Sequence, residues 1–108
     1  MTNVKNIELY RFESGQNLIH VWASIEKGLL TVSGHDLGDW SERTWGESDY
    51  EYFYSFSKED TEKLLSAISG KENPAEALQE RFGGANGCAE LCELCGKEKI
   101  NYEFSSYA

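Results

Sequence analysis

Tyr50-Glu51-Tyr52-Phe53-Tyr54-Ser55-Phe56-Ser57 is the stretch that decides the fold. Its aromatic residues are strong strand formers, and together they make the strongest strand signal in the chain. The stretch then stops abruptly. Ser57 is a helix-capping residue, and the acids Glu59 and Asp60 follow where the positive end of a helix dipole favours them. The chain therefore changes character at Ser57, from strands before it to helices after it.

Working back from this point, Gly34 to Asp49 holds Gly34, Gly38, Gly46, two tryptophans and many charges, with no clear period. It reads as a long loop with a short helical turn near Trp40 to Thr44. Three strands precede it. Leu29 to Ser33 and Leu18 to Ile25 are rich in β-formers, separated by the turn residues Glu26-Lys27-Gly28. Asn6 to Glu13 alternates Ile7, Leu9 and Arg11 on one face with Glu8, Tyr10 and Phe12 on the other. These spacings suit an antiparallel meander.

Working forward, Leu64, Leu65 and Ile68 form the apolar stripe of the first helix, which ends at Gly70. Asn73-Pro74-Ala75-Glu76 is a capping box with proline at the first helical position, followed by inward-facing Leu78 and Phe82. A third helix runs from Gly87 to Cys95 and stops at Gly96. Ile100 to Tyr107 returns as a strand. The order β-β-β-β-α-α-α-β predicts an α+β fold. Its antiparallel sheet has four N-terminal strands and one C-terminal strand, with about three helices on one face.

The 108 residues suit a single domain spanning residues 1–108, and 40% hydrophobic residues suffice for one core. The polar N-terminus lacks the apolar centre of a signal peptide, and no run approaches the length of a membrane span. Cys88, Cys92 and Cys95 cannot all pair with one another, which fits a reducing, cytoplasmic setting. Their C-x3-C-x2-C spacing formally matches that of iron–sulfur enzymes acting on S-adenosylmethionine. It is also helical spacing that puts the sulfurs on one face with Leu91, so core packing explains it without a metal. No phosphate loop, nucleophile elbow or His-Glu-x-x-His helix is present. The sequence calls for no cofactor and no metal.

The net charge is -9, which disfavours nucleic acid and anionic membranes and favours basic partners. The excess is local. Between Asp36 and Glu62 nine acids face two bases, which accounts for seven of the nine excess charges. Aromatics interleaved with these acids suit a protein interface, where rings anchor and charges steer. The candidate partner-binding residues are Asp36, Asp39, Trp40, Glu42, Trp45, Glu47, Asp49 and Glu51. A competing reading makes His35 and Asp36 an imidazole–carboxylate pair in a small hydrolase-like enzyme, although no nucleophile accompanies them. A third is a general interaction module.

Three blocks carry a resemblance. Gly34-His35-Asp36-Leu37-Gly38, Trp45-Gly46-Glu47-Ser48-Asp49-Tyr50-Glu51-Tyr52-Phe53 and Asn101-Tyr102-Glu103-Phe104-Ser105 resemble a family of small acidic bacterial proteins. That family joins G-x-D-L-G, W-G-x-S-x-Y-E-Y and C-terminal Y-E-F blocks. Such proteins are similar to the immunity proteins of bacterial toxin systems, including contact-dependent growth inhibition. The resemblance implies a non-enzymatic inhibitor, a monomer that forms a heterodimer with a cognate toxin, often a basic nuclease, and neutralises it.

Overall fold

The computed structural model describes residues 3–46 and 48–107. Its strands are β1 (Val4–Ser14), β2 (Asn17–Glu26), β3 (Leu29–Leu37), β4 (Asp49–Ser55) and β5 (Glu103–Tyr107). Its helices are α1 (Asp39–Trp45), α2 (Lys58–Ala67), α3 (Pro74–Phe82) and α4 (Gly87–Glu98). The strands form one antiparallel sheet in the order β1-β2-β3-β4-β5, so the C-terminal strand pairs with β4. The α+β expectation holds, with one helix more than the sequence suggested. No helix among the described residues is long and apolar enough to cross a membrane.

Cross-strand rows explain the layering. One row runs Ile7, Ala23, Val32, Tyr54 and Phe104, and the next runs Tyr10, Val21, Gly34, Tyr52 and Ser106. Side chains in these rows point to the helices. There Ile25, Leu30, Leu64, Leu65, Leu78, Phe82 and Leu91 are buried to within 2% of full coverage. Each such side chain contributes roughly 1.5–3 kcal/mol by leaving water. The opposite face of the sheet carries no helix among the described residues.

The helix starts follow the expected chemistry. Ser57 Oγ accepts the Asp60 N–H at 3.1 Å, and Asn73 Oδ1 accepts that of Glu76 at 3.2 Å, with Pro74 opening α3. Thr61, fully buried, turns its hydroxyl oxygen to the Leu30 N–H at 2.9 Å and ties α2 to the sheet. Asp60 accepts the Asn101 N–H at 3.1 Å and the Ser57 hydroxyl at 2.9 Å. These donors, the Asn101 N–H foremost, hold its carboxyl below the ordinary aspartate range.

Four local expectations are corrected. In β1 the register shifts between Glu8 and Tyr10, a bulge at Leu9 that turns Tyr10, not Arg11, toward the helices. Two carbonyls there find partners outside the sheet: Leu9 O accepts the Gly84 N–H (3.1 Å) and Glu8 O accepts Gln79 Nε2–H (3.2 Å). Arg11 instead lies exposed and pairs with Glu13 at 2.7 Å. Second, β3 runs on to Leu37 and α1 follows at once, so the long loop expected over residues 34–49 is mostly regular structure. Third, α4 continues through Gly96 to Glu98 and ends at Lys99, a left-handed cap whose N–H reaches Cys95 O. Fourth, the last strand begins at Glu103, three residues later than expected.

Gly34 is a point of close approach in the sheet. The Tyr52 ring from β4 lies across it, and a Cβ at this position would collide with Cζ, Cε2 and Oη of that ring. Gly34→Ala should therefore destabilise the protein by about 1–3 kcal/mol in urea unfolding, as overpacking does. Adding Gly34→Ala to Tyr52→Ala should cost much less than that, because the obstacle is gone. Equal costs in both backgrounds would contradict the clash.

Candidate functional site

The site grows from the alternation of β3. Gly34 and Asp36 point to the helix side, whereas His35 and Leu37 point to the open side. His35 and Asp36 thus stand on opposite faces of the sheet, and the adjacent imidazole–carboxylate pair read from the sequence does not form. His35 Nε2 meets Asp49 Oδ1 at 2.7 Å instead, with Glu51 Oε1 at 3.9 Å. Its cross-strand neighbour His20 contacts Glu8 at 3.2 Å and stacks on Trp22 at 4.8 Å. The ligand atoms of His35, Asp49 and Glu51 lie within 4.8 Å of one another, a set of types and spacing that can serve a transition metal.

On the helix side Asp36 does different work. Its Oδ2 accepts the indole N–H of Trp45 at 2.8 Å, while its buried Oδ1 has no hydrogen-bond partner among the described residues. Trp45 is the last residue of α1. That helix is closed by Gly46, whose left-handed backbone returns its N–H to Glu42 O at 2.8 Å. The loop beyond is pinned by the Gly38 N–H on Ser48 O, also at 2.8 Å. The Trp45 ring stacks on Tyr50 with centroids 4.5 Å apart and planes 16° apart. Held at its edge and on its face, Trp45 is nevertheless 46% exposed.

Tyr50, Tyr52 and Tyr54 leave β4 on the same side as Trp45 and continue the aromatic surface to Phe104 on β5, at 5.2 Å from Tyr54. The cysteines of α4 sit behind them. The Tyr52 hydroxyl lies close to the Cys88 thiol, and the Tyr102 hydroxyl donates to Cys92 Sγ at 3.4 Å. Burial pushes the Tyr52 and Tyr54 hydroxyls well up, with further contributions from Cys88 and Asp36 at Tyr52 and from Cys92 and Cys88 at Tyr54. Burial raises the Cys88 thiol as well. Cys95 belongs to the core, and burial with the nearby Cys92 lifts its thiol to about 11.

The eight residues singled out in the sequence are therefore dispersed. Asp36 and Trp45 meet on the helix side. Asp39 and Glu42 lie exposed on α1 beside them, with Trp40 in the same helix. Asp49 and Glu51 point to the open face and gather around His35. Glu47 lies outside the described residues. Tyr50, Tyr52, Tyr54, Cys88 and Phe104 form the rest of the aromatic surface, and none of them was among the eight. The alternation of Tyr50, Tyr52 and Tyr54 was the available signal, but the pairing of β5 with β4 was needed to add Phe104.

A scan against family models and searches of curated proteins and of solved structures found no match to this chain.

The setting of Cys95 has a chemical consequence. A 2% exposed thiol with a pKa near 11 is almost entirely un-ionised at pH 8, and the thiolate is the reactive form. In the folded protein iodoacetamide should leave Cys95 unmodified at pH 8 while denaturant makes it react, as peptide mass mapping can follow. Rapid native labelling of Cys95 would contradict its placement in the core.

Proposed function

We propose that this protein is an inhibitor of the immunity type, which binds a basic toxin domain of the nuclease class and blocks it. The observation that supports this best is the presentation of Trp45. Interfaces derive most of their energy from a few large, well-fixed side chains, and tryptophan is prominent among them. A ring already stacked on Tyr50 and hydrogen-bonded to Asp36 loses little freedom when a partner covers it. Asp39 and Glu42 stand exposed on the same short helix, and the whole chain carries a charge of -9. A nuclease collects Lys and Arg to hold phosphates. Carboxylates facing that surface draw it in and occupy the place of the substrate.

In this account the protein acts by occlusion, with charge governing the approach and the aromatic surface governing the lifetime of the complex. The complex is a heterodimer formed in the cytoplasm, where the toxin would do its damage.

Co-purification from the native strain should yield a basic protein with toxin activity that the pure inhibitor abolishes. With that partner in hand, Asp39→Lys combined with Glu42→Lys should slow association by about tenfold at low salt, and the difference should shrink as salt is added. Trp45→Ala should act mainly on dissociation. A partner without toxic activity would leave a general interaction module. Association rates unaffected by the charge reversals would remove α1 from the interface.

A further inference from the structure

Trp45, Tyr52, Tyr54 and Phe104, together with Cys88, line a cavity of about 140 Å³. Tyr52 forms the centre. Trp45 stands 6.4 Å from it on one side, Phe104 6.4 Å on another, and Tyr54 approaches edge-on at 6.1 Å. Trp45 and Phe104 are 46% and 50% exposed, so the walls they form reach solvent, whereas Tyr52 is buried to 9%. Four rings from three elements thus gather around a space too small for most metabolites and open to the outside.

We propose that this aromatic box is a binding site for an alkylammonium cation, the head group of a lysine side chain or of a free methylated amine.

Three features select a cation over a neutral or anionic ligand. The faces of aromatic rings carry negative potential, and a box of them attracts ammonium groups more strongly than equally sized neutral groups. Among the described residues no lysine, arginine or histidine lines the cavity to compete for it. Asp36 lies immediately behind the Trp45 wall, and its charge also acts on the Tyr52 hydroxyl and the Cys88 thiol, which places it close to three of the five lining residues. One of its oxygens is buried without a hydrogen-bond partner among the described residues, a costly state that a neighbouring positive charge relieves. The raised Tyr52, Tyr54 and Cys88 groups stay protonated at neutral pH, so the rings and the thiol keep their neutral form.

The box stands on its own geometry and does not depend on the partner being a toxin. If the cation is a lysine of a protein partner, Trp45 serves both as a wall of the box and as the interface anchor. If it is a free amine, occupancy of the box changes what Trp45 presents.

The test uses the full chain labelled with nitrogen-15 and follows the indole N–H signal of Trp45, identified by its loss in Trp45→Phe. Choline, the uncharged carbon isostere of choline, and a short capped peptide with a single lysine are titrated separately. Saturable shifts of the Trp45 signal are expected with choline, with the peptide, or with both, and about tenfold weaker binding is expected for the uncharged isostere. Tighter binding of choline points to a free amine, and tighter binding of the peptide points to a protein side chain. Phe104→Ala, on an exposed strand, should weaken the response with the circular dichroism spectrum unchanged. Asp36→Asn, which keeps an acceptor for the indole while removing the charge, should weaken it several-fold. No saturable shift with either cation, or an isostere that binds as well as choline, would overturn the proposal.

Discussion

The position of the Tyr52 ring over Gly34 is the constraint on which the rest of the molecule depends. In most antiparallel pairs two side chains stand side by side. Here one strand gives up its side chain altogether and the other lays its ring into the space. The ring also lies close to the Cys88 thiol of α4 and contacts Tyr50 and Tyr54 on the same strand, with centroids 5.8 and 6.1 Å away. Trp45 rests on Tyr50, and Phe104 packs on Tyr52 and Tyr54. A single aromatic system therefore runs from the buried core to a half-exposed tryptophan. The packing that holds the sheet to its helices also sets the geometry of the half-exposed aromatic surface.

The sheet separates the acidic residues into two chemical settings. On the helix side a carboxylate, Asp36, is committed to orienting an indole. On the open side the carboxylates of Asp49, Glu51 and Glu8 are shared with the imidazoles of His35 and His20. Exposed pairs of the second kind add little to stability. The acids of α1, Asp39 and Glu42, remain exposed. Steering by charge acts over distances of several ångströms and depends on the summed field more than on any one contact. In the proposed complex, the division of the acids between two faces still allows attraction of a basic protein, with short-range recognition assigned to the aromatic end.

Much of the fold was legible in the sequence because it rests on local signals. Ser57 and Asn73 cap the helices they were expected to cap, and the strand formers of β2 and β4 both pair with β3. What escaped was decided by tertiary contacts. The bulge at Leu9 reverses the facing of β1 from Tyr10 onward without any mark in composition, and it is sustained by Gly84 and Gln79, seventy or more positions away. Helix α1 has only seven residues between two glycines, too short to form on propensity alone, and it is held by the stacking and hydrogen bond of Trp45. Gly96 read as a stop, yet Lys99 takes the left-handed cap and leaves the glycine inside α4. The opposite facing of His35 and Asp36 follows directly from a period of two, but only once β3 is known to extend to Leu37. The aromatic box required the strand order β4-β5, which no local pattern encodes.

Stacking and a hydrogen bond hold Trp45 in one orientation in the free protein. Nitrogen-15 relaxation of its indole N–H in the free protein tests this most directly. Stacking on Tyr50 and the hydrogen bond to Asp36 predict an order parameter above about 0.8, comparable to rigid backbone; a value below about 0.6 would mean a mobile ring and would contradict the account.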